Sequence, residues 1–153
     1  MAIIYTPLNI NDETELRSAA YIHESTPQNW DPTYKVTDER ILFWVDYLKN
    51  ILTNEKSFVL LAKDESSVVG LHWLKMTEKY GKPCAYIESL WVHEDVRKLG
   101  VGSELKRQGE EWAKAQGAKV ITTSVHYANK NMIEFNLKKG FEALQVEMIK
   151  SLK

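Results

Sequence analysis

A chain of 153 residues with 44% apolar and 27% charged content can build one domain with its own core, but not two. Lys plus Arg number 20 and Asp plus Glu 21, leaving a net charge of −1 that gives no support for a nucleic-acid or anionic-membrane surface. The one cysteine, Cys84, excludes an internal disulfide and a cysteine-based metal cluster and suits a reducing compartment. No apolar run approaches membrane-spanning length and the first residues lack a signal-peptide pattern, so a cytoplasmic location is expected.

Ile3 to Tyr5 reads as a short strand, and Asp12-x-x-Glu15 as a capping box opening a helix with Leu16, Ala19, Ala20 and His23 on one face. Ser25 to Tyr34, rich in Pro, Asn, Gln and Asp, is a loop. It carries Trp30 and Tyr34, aromatics suited to plugging the core or to walling a pocket. Thr37 starts a second helix, 37–52, whose Ile41, Trp44, Val45, Leu48, Ile51 and Leu52 form a wide apolar stripe. The period then changes. Phe58 to Lys63, Val68 to Met76 and Ala85 to Val92 read as an antiparallel meander, with turns at 64–67 and Thr77–Pro83. A helix 100–116, a strand 119–125 and a helix 129–139 follow, then a strand pair Phe141–Leu144 and Val146–Lys150. Meander followed by strand–helix–strand predicts a single α/β domain, 1–153, on a mixed, mostly antiparallel sheet that includes one parallel pair.

Three places in this order can carry chemistry. Val96-Arg97-Lys98-Leu99-Gly100-Val101-Gly102-Ser103 joins a strand to a helix through a basic, glycine-punctuated turn. Helix-start amides with no partner, two missing side chains and two cations suit a phosphate group, while Gly-x-Gly at a helix start equally serves tight packing alone. Glu88 interrupts a strand that alternates Tyr86, Glu88, Leu90, Val92 on one face and Ala85, Ile87, Ser89, Trp91 on the other. A carboxylate there is either paired with a cation or lines a cavity, where desolvation makes it a stronger base. Asn136 falls within the apolar arc of Met132, Ile133, Phe135 and Leu137, and must find hydrogen bonds or face a cleft. Asn129 is placed to cap that helix.

The ordered combination of Ile87-Glu88-Ser89-Leu90-Trp91-Val92, Arg97-x-x-Gly100-x-Gly102, Asn129 and Gly140-Phe141 resembles the GNAT superfamily of N-acetyltransferases, over about a third of the chain. The resemblance implies the GNAT fold, with the parallel strands splayed apart and helices on both faces of the sheet. It also implies acetyl-CoA as cofactor, with its pyrophosphate on Arg97, Lys98, Leu99, Gly100, Val101, Gly102 and Ser103. The pantetheine arm would run along Leu90, Trp91 and Val92, with Asn129 beside it. Glu88 would then be the base for the amine, and the backbone N–H at Leu90 the oxyanion donor. Many family members carry a proton-donating Tyr four residues before the Gly of Gly-Phe; here that position is Asn136, which has no useful acid proton. Tyr127 and His126 are the nearby substitutes, His126 reading more simply as a surface loop residue.

The acceptor pocket is expected from the front half of the chain: the Ser25–Tyr34 loop, helix 37–52 and the Thr77–Pro83 turn, with Trp30, Tyr34, Trp44 and Glu88 as its lining. The expected partner is a small-molecule or peptide amine, with neither nucleic acid nor membrane. Dimerisation is common in the family, and no stretch here marks an interface. The alternative is a non-catalytic acyl-CoA-binding or regulatory domain on the same fold. A nucleotide-binding enzyme is disfavoured because Gly100-Val101-Gly102-Ser103 lacks both the P-loop lysine and the third glycine of a dinucleotide fingerprint.

Overall fold

The structure, a computed structural model, describes residues 2–54 and 56–153. Five strands form one sheet in the order β1-β2-β3-β4-β5: β1 (Ile3–Pro7), β2 (Ser57–Asp64), β3 (Ser67–Lys79), β4 (Lys82–Val92) and β5 (Val120–Thr123). The first three pairings are antiparallel and β4–β5 is parallel, as the strand–helix–strand unit requires. Helices α1 (Glu13–Glu24) and α2 (Asp38–Asn54) cover one face, packing with Val59, Leu61, Leu71 and Trp73. Helix α3 (Val101–Ala115) covers the other, its Val101 and Leu105 meeting Leu60 and Ala62. A short α4 (Lys130–Lys138) follows β5. Alternate residues of β2 thus serve opposite layers, which is why the middle of the sheet reads as a continuous apolar run.

Three local differences from the sequence reading matter. The Thr77–Pro83 turn is tighter than expected: β3 runs to Lys79 and β4 starts at Lys82, leaving only Tyr80 and Gly81, both at positive φ. In β4 the simple alternation fails. Trp73 pairs with Ser89 and Leu74 with Ile87, so Glu88 is an extra residue bulged out of the ladder. The bulge reverses parity, and Leu90 and Val92 join Ala85 and Ile87 on the α3 side of the sheet. Finally, Phe141–Leu144 and Val146–Lys150 are not strands. The chain beyond Phe141 is exposed, with Leu144, Val146 and Met148 solvated, and an alternating apolar pattern that is neither paired nor packed is not a strand.

The helix starts also differ from one another. The Asp12 side chain caps α1, accepting from Thr14 N at 3.0 Å and Glu15 N at 3.1 Å. Its expected capping-box partner, Glu15, instead accepts from Asn9 N and pairs with Lys63. Thr37 caps α2 and Asn129 caps α4. Helix α3 has no side-chain cap.

Candidate active site

Where the parallel pairing stops, a cavity begins. The last β4–β5 pair is Ile87–Thr123, and β4 continues to Val92 without a strand on that side. The resulting cleft has a volume of about 1040 Å³ and is walled by β4, by the turn into α3, by the loop before α4 and by α4 itself. A cleft between two diverging parallel strands, at their C-terminal ends, is where open α/β sheets bind ligands.

One end of the cleft is the start of α3. Gly100 occupies its N-cap position at φ +83°, a conformation that side chains rarely adopt, and Lys98 also lies at positive φ. No side chain reaches back to the first amides, so the positive end of the helix opens into the cleft through Gly100, Val101, Gly102 and Ser103. A Cβ on Gly102 would stand in ordinary contact with Phe135 Cζ at 3.4 Å, so α4 lies close over the helix start. Arg97 and Lys98 line the same end, Arg97 Nε donating to Val92 O at 3.1 Å. Free amides, positive helix end and two cations match the chemistry of a diphosphate, so the residues present fit a coenzyme A headgroup. Leu99 is 60% exposed and turns away from the cleft.

Glu88 lies at the other end. The bulge sets it on the face of Lys75, whose Nζ lies 2.9 Å from Glu88 Oε1. Both alternatives for this carboxylate hold at once: it is paired with a cation, and it lines the cleft beside Ile22, Thr26 and Trp30. The Glu88 hydrogen bond raises the Lys75 pKa, so the ammonium is held charged. His23 of α1 packs edge-on against Trp44 and at a tilt against Trp73, and its pKa is pushed down by burial, which leaves it neutral near pH 7. Trp30 stacks on His126 with ring centroids 4.4 Å apart and planes 10° from parallel, joining the α1–α2 loop to the β5–α4 loop at the rim.

Leu90, Trp91, Val92, Asn129 and Asn136 all line the cleft, Leu90 lying opposite His72 in the β3–β4 ladder. Asn129 does so while its Oδ1 accepts from Met132 N. Other expected residues are elsewhere. Tyr127 is 77% exposed and outside the cleft. Tyr34 and Trp44 are held by the Glu24 carboxylate, Trp44 Nε1 donating to Oε1 at 2.8 Å and the Tyr34 hydroxyl to Oε2, with Arg40 completing the cluster. They tie the loop to α2 and the core, so of the three expected aromatics Trp30 alone lines the cleft, and neither α2 nor the Tyr80–Gly81 hairpin reaches it.

Lys106 was not legible as a functional residue. It is 3% exposed, lines the cleft from α3, and its Nζ has no hydrogen-bond partner among the described residues. The available signal was its place in the stripe Gly102, Lys106, Gly109, Ala113, where every other member is small enough for close packing.

The sheet with one splayed parallel pair brings the uncapped helix start and the Glu88 carboxylate to one cleft. The model of the acetyltransferase (GNAT) family matches residues 19–141, and the chain belongs to that family. That family is described as one of acetyltransferases. The mycothiol acetyltransferase of Propionibacterium freudenreichii is 29% identical over 91 residues, covering 59% of this chain and 29% of that protein. An uncharacterized N-acetyltransferase of Methanocaldococcus jannaschii is 28% identical over 105 residues, covering 65% of this chain and 46% of that protein. The chain thus spans less than half the length of these two relatives. Among solved structures, a transcriptional regulator from Bacillus halodurans superposes with a TM-score of 0.79 at 18% identity, covering 99% of this chain and 100% of that one. An aminoglycoside acetyltransferase from an uncultured soil metagenomic sample gives 0.72 at 19% identity, covering 99% and 97%. At those identities the likeness is one of fold. No helix among the described residues is long and apolar enough to cross a membrane.

Proposed function

We propose that this chain moves an acetyl group from acetyl-CoA to a primary amine of a small molecule or peptide, with both substrates bound together. The observation that carries this reading is that the uncapped start of α3 and the Glu88 carboxylate open into one cleft. The cofactor, when bound, supplies the activated acetyl group. The α3 amides, with Arg97 and Lys98, hold its diphosphate. The free side of β4 from Glu88 to Val92 offers main-chain hydrogen bonds along the cleft, including the Leu90 N–H as a donor to oxygen.

An alkyl amine, with a pKa near 10, reaches the cleft mostly protonated at pH 7 and must shed a proton before it can attack. Glu88 attracts the ammonium and takes that proton, directly or through water, worth about 10²- to 10⁴-fold in rate. Lys75 fixes Oε1 and with it the direction of the carboxylate. Trp30, backed by His126, presents an aromatic face to an aliphatic or cationic acceptor.

Release of free thiol with a panel of amines tests this. Glu88→Gln is expected to lower turnover about 10²- to 10⁴-fold with CoA affinity retained; unchanged turnover across pH would place the base elsewhere. Asn136 in the position of the family's acid favours one second reading, a non-catalytic acyl-CoA-binding domain. CoA binding without amine-dependent thiol release would select it.

A further inference from the structure

Two polar groups on the cleft wall are buried without partners among the described residues: Lys106 Nζ and Asn136 Oδ1. Lys106 is 3% exposed and Asn136 6%, and both line the cleft, one from α3 and the other from α4. Such atoms are costly to bury alone. The ammonium lies over the Phe141 ring at 4.2 Å and near the Phe135 ring at 5.8 Å, a cradle that steadies a cation while supplying no hydrogen-bond acceptor. A buried donor and a buried acceptor, unpaired and facing one cavity, mark a place where an incoming group completes the hydrogen bonding.

Resting on the acetyl-transfer reading above, we propose that Lys106 is the proton donor to the departing sulfur, with Asn136 beside it as a hydrogen-bonding guide. Lys106 gives one proton from Nζ to sulfur as the sulfur takes the electron pair of its broken bond to the acetyl carbon. The amine nitrogen's lone pair forms the new N–C bond, and the proton shed by that nitrogen goes to Glu88 or water. Solvent then returns a proton to Nζ, so charge and protons balance over the cycle.

The setting suits this exchange. Burial pushes the Lys106 pKa down to about 8; Glu110 on the same helix opposes the fall and Lys139 adds to it. From the sheet below, His72 brings no positive charge, because burial pushes its pKa down to about 3. A thiol has a reference pKa of about 8.5, so an ammonium near 8 is matched to the sulfur it would protonate. A phenol near 10 is a weaker acid. A lysine in a desolvated apolar cradle can thus occupy the role that Asn136 cannot.

The experiment follows the thiol of bound CoA by the ultraviolet absorbance of its thiolate as a function of pH, with no turnover involved. In the unmodified protein the bound thiol is expected to ionise at lower pH than free CoA, the ammonium stabilising the thiolate. In Lys106→Met, whose unbranched apolar chain suits the phenylalanine cradle, that shift is expected to vanish while CoA affinity changes less than threefold. Lys106→Met should also slow acetyl transfer at least tenfold, with Asn136→Tyr in that background restoring part of it. If the thiol titration is the same in both proteins, the proposal is wrong. If Lys106→Met instead weakens CoA binding tenfold or more without moving the titration, Lys106 is a phosphate anchor and the proposal is equally overturned. Failure of the unmodified protein to bind CoA would sink the acetyl-transfer reading itself, a different result from either.

Discussion

Helices α3 and α4 begin at the rim of the same cleft, yet they begin in opposite ways. Asn129 closes the start of α4 by accepting from Met132 N, whereas α3 starts on Gly100 at positive φ with no cap. The two are also anchored differently. Val101, Leu105, Lys106, Gly109 and Ala113 of α3 are buried against the sheet and cleft, while Asn136 is the buried residue of α4 and Leu137 is half exposed. Burial of the body does not decide the start, because α1 buries Leu16, Ala19 and Ala20 and is still capped by Asp12. The open start of α3 follows from Gly100, which has no side chain to turn back on the first amides.

That contrast can be broken most sharply at the α3 start. Gly102→Asp puts a carboxylate where the amides converge, and CoA affinity measured by titration calorimetry is expected to fall about 100-fold, or about 3 kcal/mol. An unchanged affinity would mean that the cofactor is held elsewhere. Next in size is the body of the same helix. A Cβ at Gly109 would lie 2.7 Å from His72 Cδ2 and 3.2 Å from Leu74 Cδ1, both in fully buried side chains. Gly109→Ala is thus expected to lose about 2 kcal/mol net of stability in urea unfolding, overpacking outweighing the ~1 kcal/mol of helix propensity that alanine adds. A stabilised variant would show that α3 is free to lift from the sheet. The smallest effect belongs to α4. Asn129→Ala should cost about 1 kcal/mol of stability with CoA affinity within a few-fold of the parent, separating a cap from a ligand contact. A large loss of affinity with stability intact would give Asn129 the opposite role.

Much of the site could be read in the chain because its signals are local. The turn at Arg97–Ser103, the carboxylate at Glu88 and the polar interruption at Asn136 each violate a nearby pattern, and all of them line the cleft. Tyr34 and Trp44 misled for a physical reason. An aromatic residue on a loop or helix fits a pocket wall or a core equally well, and what decided between them was Glu24, a buried carboxylate distant in sequence that gathers both. Lys106 went unread because a lysine on a helix is ordinarily solvated, and its burial depends on Phe135 and Phe141 arriving from another element.

By itself the sequence determined the order of the elements up to α4, the parallel pair and the glycine-led start of α3, since periodicity, turn chemistry and crossover handedness act over short stretches. Only the tertiary structure decided the rest. The Glu88 bulge reversed the faces of β4, because register is set by the neighbouring strand and not by the strand's own alternation. The stretch after Phe141 shows the same dependence from the other side: its alternation is written in the sequence, but the chain pairs with no strand there.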